Sequence, residues 1–119
     1  MPGRAPEIPQ PFLERFVLEP MRRRVEHEWR KKPDKLHSRI CHAASDLFDA
    51  RFLTGEASFE SDEEVFVLAG GHPVSLKYSE AEAELGSGSG VLIVAASGEK
   101  FVAETESTKG TPFVVYAAS

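Results

Sequence analysis

His37 and Cys41 stand four residues apart in a stretch of helical period, a spacing at which two side chains could share a transition-metal ion. A structural zinc site takes about four ligands, and His27, His42 and His72 fall at no spacing that completes the set. Cys41 also adjoins an apolar ridge, where a free thiol behaves as a small hydrophobe. Packing is therefore its expected role, and no metal is assigned. Ser38, His42 and Asp46 follow at steps of four, in the order nucleophile, base and orienter. Yet side chains in one helical row stack roughly 5–6 Å apart and point outward together. Such a row supplies no oxyanion donor and excludes no water, so a solvated helix face is expected.

Gly86-Ser87-Gly88-Ser89-Gly90 invites comparison with a phosphate-binding loop. Those loops feed a helix N-terminus, whose free amides carry the positive end. Here an apolar strand follows and the Lys-Ser/Thr pair is missing. The composition is that of a flexible linker, natural or engineered. Glu60, Asp62, Glu63 and Glu64 are adjacent rather than spaced around a Gly turn, so they do not build a hard-cation loop. No catalytic residue and no cofactor is assigned, and the reading leans away from an enzyme.

The main functional signal is basic. Arg22, Arg23, Arg24, Arg30, Lys31, Lys32 and Lys35 place seven cations within fourteen positions. That density could follow a phosphate backbone or an acidic protein surface. With Trp29 among them, these residues form the candidate partner-binding set. Met21, Val25 and Trp29 give the same stretch an apolar side, and Glu26, His27 and Glu28 dilute its charge. The plainer reading is a solvated helix face that contacts the chain's own acidic half.

Charge is unevenly shared. Residues 1–55 hold eleven Lys and Arg against eight Asp and Glu, a balance of +3, while residues 56–119 hold three against eleven, a balance of −8. The net charge of −5 argues against a general nucleic-acid binder. A dipolar chain can hold itself together electrostatically or show two different faces to partners.

The elements that must position these residues follow from periodicity. Residues 1–11 carry Pro2, Pro6, Pro9 and Pro11 and read as an extended arm, either a tail or a strap on a neighbouring subunit. Phe12 and Phe16, then Leu13 and Val17, step by four, and Met21, Val25 and Trp29 continue after Pro20. This predicts a helical segment over about 12–31, in two pieces or kinked at Pro20. Pro33 and Asp34 open a helix over 34–53, with Leu36, Ile40, Ala44 and Leu47 as its ridge, Cys41, Phe48 and Phe52 beside it, and Gly55 as its cap.

Residues 56–119 read as strands: 64–69, the alternating 74–78, then 91–96, 101–103 and 113–117, the last three a meander broken at Ser97-Gly98 and at Thr108-Lys109-Gly110. In 79–85, Ala81, Ala83 and Leu85 alternate with Glu80, Glu82 and Glu84, which suits a strand; Ala, Glu and Leu also favour helix, and strand is the expectation. The fold class is α+β: one domain over 12–119, with helices at 12–55 packed on an antiparallel sheet of four or five strands, and a flexible loop at 86–90.

The strands at 91–96 and 113–117 are apolar at consecutive positions, so both sheet faces are greasy. One helix cannot cover both. The second face should be shielded by the N-terminal helix, by another copy, or by a different protein.

These features lead to a non-catalytic protein-interaction module. It would be a homo-oligomer, or a subunit or inhibitor in a larger bacterial or viral assembly. The alternative is a nucleic-acid-associated regulator using the basic helix over 22–35, and an enzyme with an unidentified site comes third. No run approaches the ~18 apolar residues of a membrane span, and the N-terminus lacks the apolar segment of a secretory signal. The lone Cys41 suits a reducing compartment. A cytoplasmic location without membrane contact is expected. The helix-then-meander pattern is too generic to point to a family.

Overall fold

The structure, a computed structural model, describes residues 6–49, 58–85, 90–104 and 114–118. Phe52, the Gly55 cap, the 108–110 break, residues 1–5 and residues 86–89 lie outside the described residues, as do the side chains of Cys41, His42 and Ala44.

Helix α1 runs Gln10–Phe16, opened by Pro9 and Pro11 and burying Phe12, Leu13 and Phe16. It stops four residues before Pro20. Val17 turns extended and forms an antiparallel bridge with Phe48, backed by Leu18 N–H donating to Leu47 O at 2.8 Å. The break expected at Pro20 therefore comes earlier, because pairing with a distant residue ends α1 before proline chemistry can. Pro20 instead sits in a single 3-10 turn, Glu19–Met21, that leads into helix α2, Arg22–Lys31.

Lys32 joins two helices by itself. Its N–H donates to Glu28 O at 2.8 Å, closing α2, while its carbonyl accepts from Lys35 N–H at 2.9 Å, opening α3 at Pro33–Leu47. Proline suits the first helical position, where no intrahelical N–H bond is lost. The described helix ends at Leu47 rather than at 53, since Phe48 leaves it for the bridge with Val17. Residues 6–9, read as part of an extended arm, lie on the chain's own core: Ile8 is buried, and Trp29 Nε1–H donates to Pro6 O at 2.8 Å.

Five strands follow among the described residues: β1 Glu64–Leu68, β2 Val74–Lys77, β3 Val91–Ala95, β4 Lys100–Glu104 and β5 Val114–Ala118. They form one antiparallel sheet in the order β2-β1-β3-β4-β5, with registers such as Val65 opposite Leu76 and Ile93 opposite Val102. The α+β class and the closing meander are as the sequence predicts.

One face of the sheet carries Leu68, Leu92, Val94, Phe101 and Ala103 into the helical layer. Phe101 is its centre, with ring centroids 5.4 Å from Phe12, 5.2 Å from Phe16 and 4.6 Å from Phe48. The opposite face presents Val65, Val67, Val91, Ile93 and Val102, all buried, against Ala81 with Phe59, Leu76, Tyr78 and Leu85 beside them.

The material on that second face corrects the reading of 79–85. The stretch is a turn of helix, α4 at Tyr78–Ala81, followed by a 3-10 turn at Glu82–Glu84. Ala81 is fully buried while Ala83 is exposed, which strand alternation forbids; Tyr78, Ala81 and Leu85 instead share a side at helical spacing. Topology selects helix here, because β2 must cross β1 to deliver β3 to its far side. The crossover covers the face it crosses. The second face thus finds its shield within the chain across β1, β3 and β4, while the side chains of β5 lie outside the described residues. Val74 is the single exposed large hydrophobic among the described residues.

Candidate functional site

Chemistry-bearing residues outside the basic cluster are dispersed or engaged. His37 Nε2 lies 2.7 Å from Gly90 O, tying α3 to the start of β3. Ser38 and Asp46 are exposed along α3, and no cluster of potential metal ligands occurs among the described residues. Glu63 Oε1 pairs with Lys100 Nζ at 2.8 Å, whereas Glu64 Oε2 accepts from Ser75 Oγ at 2.7 Å. These carboxylates diverge rather than surround a common point.

The basic residues are sorted by helix geometry. At 3.6 residues per turn, Val25 and Trp29 define the buried edge of α2, and Arg23, His27 and Arg30 fall opposite it, exposed. Glu28 sits on the flank toward α3, only 5 % exposed. Its carboxylate accepts from Arg39 Nε–H at 2.8 and 3.1 Å, with Arg24 Nε 4.0 Å away. A buried carboxylate needs such pairing to offset its lost hydration. Glu28 therefore binds α2 to α3 through Arg39, with Arg24 beside it and largely exposed.

Two members of the predicted set are hydrogen-bonded within the chain's own fold. Arg22 folds back on α1: Nε–H donates to Leu13 O at 2.9 Å and Val17 O at 3.1 Å, and Nη2–H donates to Glu14 O at 2.9 Å. It satisfies the carbonyls that a helix end leaves without intrahelical partners. Trp29 is 2 % exposed, edge-on to Phe66 at 6.4 Å.

Arg23, Arg30, Lys31, Lys32 and Lys35 are exposed and make no ion pair among the described residues. With Arg24, Arg39 and His27, most of them line a groove of about 610 Å³ between α2 and α3. A second depression of about 400 Å³ continues over the α2–α3 turn, where Lys31, Lys32 and Lys35 meet Gly70, Gly71 and His72 of the β1–β2 turn. Opposing charge comes from Glu28, already paired, from Glu26, which accepts from Gln10 Nε2–H at 3.1 Å, and from Asp34. The ion pairs of the cluster stay within the helical half; none reaches the acidic half among the described residues. Crowded unpaired cations raise a local positive potential that favours anionic groups.

Arg39 and His72 join this surface without having stood out in the sequence. Arg39 repeats Lys35 at four residues, which places both on one flank of α3. For His72 the sequence carries no signal, because its position depends on a turn packed beside a distant helix. No helix among the described residues is long and apolar enough to cross a membrane. Comparison with protein families, with curated proteins and with solved structures finds no match to this chain.

Proposed function

We propose that the chain is a small interaction module that binds an acidic protein partner through the α2–α3 corner, as a subunit or inhibitor of a larger assembly. The observation that carries this reading is the set of five exposed cations without ion partners among the described residues. Cations that merely solvated a helix would be expected to find some of the chain's own surplus carboxylates. None of the five does so among the described residues. Self-association through the sheet has less to recommend it, since the described side chains on both faces of β1, β3 and β4 are covered by the chain's own segments.

The test is binding of a labelled Glu/Asp-rich peptide at low and high salt, by fluorescence anisotropy. Salt-sensitive binding that disappears in R23E/R30E/K35E supports the corner. Equal binding by that variant removes it. Duplex DNA retained at ~50 mM salt more tightly than the peptide transfers the site to the nucleic-acid reading.

A further inference from the structure

The two depressions at the basic corner share Lys32 and Lys35, so they form one track rather than two sites. Along α2, from Arg23 to Lys32, that track covers about 14 Å at 1.5 Å per residue. It then turns across Lys31 and Lys35 and reaches His72. The β1–β2 turn ends it with exposed backbone. Gly70 has φ +89°, and a Cβ built at Gly70 or at Gly71 would meet nothing within 4 Å. A ligand chain can therefore approach the main chain closely there, without side chains holding it off.

Resting on the reading above, we infer that the acidic partner engages this module with an extended acidic peptide segment, which follows α2 and ends against the β1–β2 turn at His72. The form of the track favours an extended segment over a helix or a globular surface. It bends over a helix–helix turn, and its lining comes from three separate elements. The chemistry favours peptide over single-stranded nucleic acid. Non-specific single-strand sites combine positive charge with aromatic platforms for base stacking, and no Phe, Tyr or Trp lines either depression. Trp29, the nearest ring in sequence, is buried and hydrogen-bonded to Pro6. At ~3.3 Å per residue, about four residues cover the α2 groove, and a longer segment is needed to reach His72.

The experiment compares labelled acidic peptides of about four and about ten residues, at ~3.3 Å per residue, on wild type, R23E/R30E and K31E/H72E. All four altered positions are exposed. On wild type the longer peptide binds more tightly. K31E/H72E weakens the longer peptide roughly five- to tenfold while leaving the shorter one within about twofold, the size expected for removing contacts to exposed charges. Equal loss for both lengths, or none for either, overturns the track and leaves the corner intact. Unchanged binding of both peptides by R23E/R30E removes the corner itself. A mixed-sequence single-stranded oligonucleotide binding more tightly than the longer peptide at matched salt overturns the peptide assignment.

Discussion

The two sides of the sheet use charge in opposite ways. On the second face, where cations are scarce, Lys100 is fully committed: its Nζ reaches Glu63 at 2.8 Å and Ser58 O at 2.6 Å, and it lies 4.9 Å from the Phe59 ring centre. Phe59 in turn stacks on Tyr78 at 4.5 Å. That one ammonium fastens the 58–63 segment beside the sheet it helps to cover. On the helical side, where cations are abundant, Arg22 and Arg39 are spent on packing and five others are left over. Scarce charge is structural here and surplus charge stays exposed. The covers differ too, with interlocked phenyl rings under three helices on one face and short crossover segments on the other.

The largest effect should come from the aromatic centre of the helical side. Phe101→Ala removes the ring that Phe12, Phe16 and Phe48 surround, and should cost about 3–5 kcal/mol by denaturant unfolding. A loss below about 1 kcal/mol would show that the helices do not depend on that contact. Gly98→Ala should come next, at roughly 1–3 kcal/mol. Gly98 holds φ +78°, and a Cβ there would lie 2.8 Å from Phe12 N and 2.9 Å from Pro9 Cβ. Its substitution pushes α1 off the β3–β4 turn, so a thermal shift near zero would mean that α1 is loosely seated.

Lys100→Ala against Lys35→Ala tests the contrast itself. Losing Lys100 should destabilise the chain by about 1–2 kcal/mol, partly screened because the side chain is 22 % exposed. Losing Lys35 should stay within about 0.5 kcal/mol, as for an ordinary surface position, while weakening the acidic peptide. Equal stability losses would abolish the distinction between committed and surplus charge. The smallest effect is that of salt: raising ionic strength should lower peptide affinity at the exposed corner and hardly change the unfolding midpoint, because partly buried pairs are screened less.

Much of this was legible from residue order. The four-step spacings of Phe12 with Phe16 and of Leu36 with Ile40 identify helices, because a strand would put the polar Glu14 and Ser38 on the same side as those apolar residues. Val91 to Ala95 reads as a doubly buried strand, since no residue in it tolerates water. The basic cluster is likewise visible as composition. Its division is not: Arg22 and Arg23 are neighbours of one type, yet one caps α1 and the other faces solvent.

Local pattern, then, determines which segments are helix or strand and where charge accumulates, because periodicity and composition act over a few residues. Only the assembled chain decides that α1 ends at a bridge to Phe48, that the Ala/Glu stretch after Tyr78 coils to roof a sheet face, and that His72 stands beside Lys32. Each of those outcomes is set by a partner distant in sequence, and no window along the chain contains both members of the pair.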